Sequence, residues 1–305
     1  MKFGVNLINF GPSATPETLA RWVQLAEALG YHLMMTSDHI AITPDVQSRY
    51  PAPFYEPLST LGWLAGVTRT IEIGTTVMIV PYRNPLQTAR VLANVDQLSG
   101  GRLIFGVGVG WAQQEFEVLG APFHRRGAMT NEYLEAIKVL WTEACASYEG
   151  QFVRFKDVST APRPVRQPHP PIWVGGASDA AMRRTVRYGQ GWHPNRLRLV
   201  PFRDEQLPRL RAIAEEEQRP IPELCPRIRM RLTEAPMSDD DRLMGEGTVD
   251  QVRRDLEVLQ ALGCTYVLLD TYFDDVEATR RPETAWRMLT VMAEQVLDLP
   301  RQTLR

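Results

Sequence analysis

The sequence predicts an α/β protein built as a closed (β/α)8 TIM barrel with an insertion region. Eight short, β-branched runs alternate with amphipathic helices from end to end. No composition break divides the chain into halves, which argues against an open doubly wound sheet. A length of 305 residues suits a barrel carrying one insertion. The reading is therefore one barrel domain over 1–305 with an excursion at about 145–170.

Each element has its own local reason. Phe3–Ile8 is an apolar run, and Pro16 and Glu17 open a helix whose Leu19, Trp22, Val23, Ala26 and Leu29 recur at helical spacing before Gly30 ends it. Leu33–Thr36 is the second strand, followed by a proline-rich loop from Ile40 to Pro57 and a helix over Leu58–Gly66. The third strand is expected over Ile71–Val80, a helix over Pro85–Leu98 and the fourth strand over Arg102–Val107. A helical stretch at Ala112–Leu119 precedes a long helix at about Ala128–Glu143. Glu149-Gly150-Gln151-Phe152 marks a hairpin, and five prolines between 162 and 171 complete the excursion. Pro171–Val174, Gly191–His193, Pro226–Leu232 and Tyr266–Asp270 supply the last four strands. Helices are expected between them over Ser178–Tyr188 and Phe202–Gln218, with a third opened by the capping box Thr248-Val249-Asp250-Gln251 and a final helix over Glu283–Leu297.

Composition excludes several functions. A net charge of -2 shows no bias toward nucleic acid or an anionic membrane. No apolar run reaches the roughly 20 residues that span a bilayer, and the first residues do not resemble a signal peptide, so a cytoplasmic protein is expected. The three cysteines, Cys145, Cys225 and Cys264, are scattered and read as reduced thiols. The five histidines show no zinc-like spacing, so no metal is expected. A G-x-S-x-G elbow is missing, which disfavours a serine hydrolase.

Two glycine turns stand at strand ends. Gly106-Val107-Gly108-Val109-Gly110-Trp111 and Val174-Gly175-Gly176-Ala177-Ser178 would bring bare backbone N–H groups to an anion such as phosphate. The second also opens a helix, whose N-terminus favours negative charge. The bland alternatives are close strand packing for the glycines and a simple N-cap for Ser178. Trp111 occupies the third glycine position of a dinucleotide fingerprint, so that fingerprint fails.

Taken in order, the motifs resemble the luciferase-like monooxygenase superfamily, and most closely its F420-dependent oxidoreductase branch. They are Thr36-Ser37-Asp38-His39, Ile73–Val77, Pro81–Pro85, Ser99–Arg102, the run from Gly106, Phe116–Arg126, Gly175–Ala177, Gly191–Pro194 and Gly247-Thr248. The resemblance implies a deazaflavin or flavin across the strands' carboxyl ends and a non-proline cis peptide at Thr76–Val77. It implies cofactor contacts from Asp38, Thr76, Val77, Gly108, Val109, Gly110, Gly175, Gly176 and Ala177. His39 would handle a proton beside the ring, with Asp38 orienting it or holding the loop; a loop histidine bonded to Asp38 is the structural alternative. Trp111 and His193 would line the substrate pocket, though Trp111 is also readable as a core lid and His193 as a structural histidine. Trp111 replaces the carboxylate acid of sugar-phosphate-oxidising members, which argues against that oxidation. Arg83, Arg125 and Arg126 are candidates for the anionic tail of F420, or ordinary surface cations. The Ile40–Pro57 loop, with Tyr50, Phe54 and Tyr55, suggests an apolar or ring-bearing substrate.

The implied activity is hydride transfer between coenzyme F420 and a small organic molecule. An FMN-dependent monooxygenase on the same barrel is the alternative, and a catalytically silent flavin-binding barrel or a metal-dependent hydrolase are the rivals. A homodimer is expected from the resemblance alone.

Overall fold

The apolar runs form eight parallel strands in a computed structural model that describes residues 1–305. They are β1 (Lys2–Leu7), β2 (Leu33–Thr36), β3 (Glu72–Thr75), β4 (Leu103–Gly108), β5 (Ile172–Gly175), β6 (Gly191–His193), β7 (Glu223–Leu224 and Arg227–Arg229) and β8 (Tyr266–Asp270). Neighbours follow in sequence order from β1 to β6, and β1 also pairs with β8. The first piece of β7 pairs with β6 and the second with β8, so β7 joins the two edges and closes the barrel. Between the pieces stands Pro226, which has no N–H to give to a ladder.

Eight main helices cover the outside: α1 (Pro16–Leu29), α2 (Pro57–Val67), α3 (Pro85–Ser99), α4 (Arg126–Thr142), α5 (Asp179–Tyr188), α6 (Leu207–Glu216), α7 (Val249–Ala261) and α8 (Pro282–Gln295). The capping box at Thr248 forms as its spacing predicts, the Thr248 side chain accepting from Gln251 N–H. Ser99-Gly100-Gly101-Arg102 acquires a physical reason here. Both glycines sit at positive φ, and the turn aims the Arg102 guanidinium at the carbonyls of Ala65, Thr68 and Ile71, where α2 ends.

The core is divided by the sheet. Fifty-nine buried residues form the main cluster, which fills the layer between strands and helices. Inside the barrel, Leu33, Met35, Ile104, Trp173, Cys225 and Leu268 form a second, smaller cluster. Glycines make room for them. A Cβ on Gly106 would lie 1.8 Å from the carbonyl oxygen of Thr75, one on Gly74 2.5 Å from that of Ile104, and one on Gly191 2.5 Å from the Trp173 ring. Gly106 and Gly74 thus let neighbouring strand backbone approach, and Gly191 leaves room for the Trp173 ring.

Three expectations change. The third strand does not run from Ile71 to Val80. It stops at Thr75, passes the cis peptide Thr76–Val77, resumes as Met78–Ile79 beside β4, and turns at Val80–Tyr82. The seventh strand starts earlier than Pro226, and Arg231–Leu232 leaves the barrel to pair with Glu246–Gly247. The helix expected over Phe202–Gln218 starts at Leu199 and contains a π-helical turn at Phe202–Gln206.

The excursion is a hairpin, Cys145–Glu149 against Arg154–Ser159, whose turn is held by Glu132 accepting from the N–H groups of Gln151, Phe152 and Val153. The returning chain is tied down where Asp96 accepts from the N–H groups of Val165 and Arg166. No two of the three cysteines are joined. No helix is long and apolar enough to cross a membrane.

Candidate active site

The carboxyl end of β2 presents Ser37, Asp38 and His39 at the barrel mouth. His39 is buried, and its Nδ1 lies 2.6 Å from Glu115 Oε2. Glu115 comes from the short helix Gln113–Val118 after β4, and its side chain is fully buried. It accepts from Ile40 N–H at 2.6 Å, Ala41 N–H at 3.0 Å and the Tyr82 hydroxyl at 2.9 Å. Burial, with the Glu115 charge beside it, pushes the Tyr82 phenol above its ordinary range, so that group stays a donor. An acceptor-only carboxylate assigns the Nδ1 proton to His39. Nε2 is left without a protein partner on a residue that lines the central cavity.

Asp38 lines the cavity and makes no bond to His39. Its carboxylate receives Arg83 through both terminal nitrogens, at 2.7 and 2.8 Å, and accepts from Ile79 N–H at 2.8 Å. It therefore fixes the segment after the cis peptide and leaves His39 to Glu115. Arg83 also binds Glu56 at 2.8 Å, so it is not free to hold an anionic tail. Arg125 and Arg126 lie over the rings of Phe152 and Phe123.

His193 lines the cavity with both ring nitrogens engaged, Nδ1 donating to Cys225 O and Nε2 accepting from the Thr76 hydroxyl at 2.9 Å. Burial pushes the imidazole down to about 4, so it is neutral near pH 7 and acts as a brace for Thr76. Arg227 grips the same residue, donating to Thr76 O at 2.7 Å while Asp270 holds its other nitrogens.

The glycine turns combine both readings considered for them. A Cβ on Gly108 would meet Val77 Cγ2 at 2.5 Å, and one on Gly175 would meet Val77 Cγ1 at 3.1 Å. These two glycines therefore let Val77 seat at the cavity floor. Beyond them the backbone is unpaired: no carbonyl or side-chain acceptor meets the N–H groups of Gly110, Trp111, Gly176 or Ala177. Ser178 caps α5 by accepting from Ala181 N–H, and the Trp192 indole holds Gly176 O at 2.8 Å. Free N–H groups at two strand exits and at a helix N-terminus fit a phosphate. Val77, its glycine neighbours and the nearby rings fit a planar group.

The cavity measures about 330 Å³. Asp38, His39, Thr76, Val77, Gly108, Val109, Gly110, Trp111, Gly175, Gly176 and His193 line it, as do Arg49, Tyr50, Asn195, Arg196 and Arg227. Ala177 lies outside this lining, exposed at the rim. Of the expected aromatic loop, Tyr50 reaches the cavity, while Phe54 stacks on Phe10 at 5.3 Å. Glu115, which holds His39, and Arg227, which holds Thr76, are not singled out by the sequence.

A closed (β/α)8 barrel with a carboxylate-held histidine and an anion-ready rim at its strands' carboxyl ends defines an α/β-barrel enzyme with a site for a phosphate-bearing planar cofactor. The luciferase-like monooxygenase profile matches residues 1–242, and the chain belongs to that family of flavin-dependent oxidoreductases and monooxygenases. An uncharacterised protein of Mycobacterium tuberculosis is 34% identical over 205 residues, covering 63% of this chain and 71% of the relative. The FMNH2-dependent dimethylsulfone monooxygenase of Pseudomonas putida is 29% identical over 180 residues, 56% of this chain and 47% of that one. The structure of the coenzyme F420-dependent tetrahydromethanopterin reductase of Methanopyrus kandleri superposes with a TM-score of 0.72 at 19% identity, covering 91% of this chain and 95% of that one. At that identity the last likeness speaks for the fold.

Proposed function

We propose that this protein is an F420-dependent oxidoreductase that moves a hydride between the deazaflavin and a small organic substrate. The observation that carries the reading is His39, fixed through Nδ1 by buried Glu115 and left with an unpartnered Nε2 in the cavity above Val77. When bound, the coenzyme supplies the hydride-carrying carbon. The N–H groups of Gly110, Trp111, Gly176 and Ala177 would hold its phosphate. Val77 would support its ring, and His193 and Arg227 brace the adjoining Thr76. His39 Nε2 gives or takes the substrate proton, and Glu115 keeps the ring oriented. The preference for the deazaflavin rests on the sequence motifs that resemble the F420-dependent branch; the Methanopyrus kandleri reductase shares the fold.

The Pseudomonas putida relative favours the second reading, an FMN-dependent monooxygenase using the same cradle. Separate incubation with F420 and FMN, then gel filtration and an absorption spectrum, decides between them. Retention of F420 is expected; stoichiometric FMN with no F420 overturns the preference. In the competent holoenzyme, His39→Ala is expected to lower turnover about 10²–10⁴-fold while cofactor affinity changes little. Glu115→Gln is expected to lower it less. Unchanged turnover in His39→Ala removes the histidine from the mechanism.

A further inference from the structure

Every arginine around the cavity but one has a carboxylate partner. Arg83 is matched by Asp38 and Glu56, Arg227 by Asp270 and Arg196 by Asp274. Arg49 also lines the cavity, yet its guanidinium has no carboxylate and no carbonyl partner. It lies instead over the Trp111 indole, 4.9 Å from the ring centroid. The backbone beneath it is anchored, because Arg49 O accepts the hydroxyl of Tyr272 from the β8 exit. The site therefore holds one unmatched cation, on a pinned stretch of backbone and stacked on an aromatic face.

Rings surround that cation on the side of the reactive histidine. The Trp111 ring lies 5.8 Å from the His39 ring and 6.5 Å from the Tyr50 ring, and Tyr50 lies 5.1 Å from His39. Trp111 is 40% exposed, so an indole face remains open to a ligand. Of the carboxylates beside the histidine, Asp38 is paired with Arg83, and Glu115 is fully buried on the Nδ1 side of the ring, away from the open Nε2. A guanidinium stacked on an indole keeps its planar fork free, and that fork matches a carboxylate through two parallel hydrogen bonds.

We propose that the substrate is a planar organic carboxylate, its anionic group docked on Arg49 and its ring set against Trp111 and Tyr50 within reach of His39. Its role as substrate rests on the redox reading above; the docking preference does not. The same cation could be met by another anion, the phosphate or acidic tail of the cofactor, and the test separates the two.

Isothermal titration calorimetry with benzoate and 2-naphthoate, each against its neutral carboxamide, reads the preference on cofactor-free protein and on protein loaded with F420 or FMN. The carboxylates are expected to bind about tenfold or more tightly than their amides. Arg49→Gln, an exposed substitution checked for folding by its melting curve, is expected to erase that difference and leave amide and cofactor affinities unchanged. Equal binding of acid and amide to the wild-type protein overturns the proposal. So does a variant that keeps the preference, or one that weakens F420 or FMN and spares the carboxylates, which gives Arg49 to the cofactor. A retained carboxylate preference in a protein that binds neither cofactor sinks the redox reading and leaves the docking site standing. Cofactor binding without the preference sinks only the docking site.

Discussion

At the scale of single residues, burial decides which histidine does chemistry. His193 is sealed and neutral, with both nitrogens bonded, whereas His39 keeps one nitrogen open. The sealed histidine has a consequence for stability. Its folded pKa, about 4, lies below the value of about 6.5 expected when unfolded. Between these values the unfolded chain binds a proton that the folded one refuses. Stability is thus full above pH 6.5 and falls as pH drops to 4, by an amount on the order of 3 kcal/mol. His169, lowered mainly by burial, acts in the same direction, so the useful reading is a difference. Urea midpoints of the wild type and His193→Gln, measured from pH 7 to pH 4, are expected to show a flatter profile for the variant. Parallel profiles would remove His193 from the acid response.

Glu115 shows how far single residues can be read from sequence. Among Gln113, Gln114 and Glu117 it looks like one more solvated side chain. The available signal was spacing: Ala112, Glu115, Phe116 and Leu119 fall on one helical face, which puts a carboxylate where an apolar residue is expected. Only the fold supplies the His39, Tyr82, Ile40 and Ala41 donors that make such a burial affordable.

At the scale of elements, glycines separate sharply by what surrounds them. Gly62, inside α2, has nothing within 4 Å of an added Cβ. Gly62→Ala is expected to stabilise the protein by about 0.5–1 kcal/mol through helix propensity. Gly106, inside β4, meets the Thr75 carbonyl at 1.8 Å, a backbone atom that cannot step aside. Gly106→Ala is expected to cost more than about 4 kcal/mol or to prevent folding. Thermal melts of the two variants read both signs, and a folded, stable Gly106→Ala would refute the account of the barrel interior. Element identity was legible from periodicity at β1, β2, β4, β5 and α1. The broken third strand was not, since pulls from Arg227 and His193 on Thr76 leave no mark on the local pattern.

At the scale of the molecule, the amino-terminal end of the barrel is tied to the insertion. Glu72 on β3 receives Arg166 at 2.6 Å, Tyr266 OH at 2.9 Å and His32 at 3.4 Å. Burial alone would raise this carboxyl; His32, Arg166, Lys2 and Tyr266 outweigh it and hold it at about 2. A carboxyl with a lowered folded pKa contributes fully above its unfolded value, about 4.3, and loses that contribution as pH falls toward 2. Glu72→Gln is therefore expected to lose about 2 kcal/mol at pH 7 and little further below pH 4. Denaturant titrations at pH 7 and pH 3 check this; an equal acid loss in both proteins counts against it.

From residue order alone came the eight-strand barrel, the hairpin excursion, His39 at the second strand's end and the glycine exits of the fourth and fifth. These are local facts, carried by periodicity, caps and turns within a dozen residues. The partners came from tertiary structure: Glu115 for His39, Arg83 for Asp38, Thr76 for His193, Val77 for Gly108, and no carboxylate for Arg49. Each of these turns on groups from different strand exits meeting at one mouth, and barrel closure brings the four pairs together across separations of 31 to 117 residues.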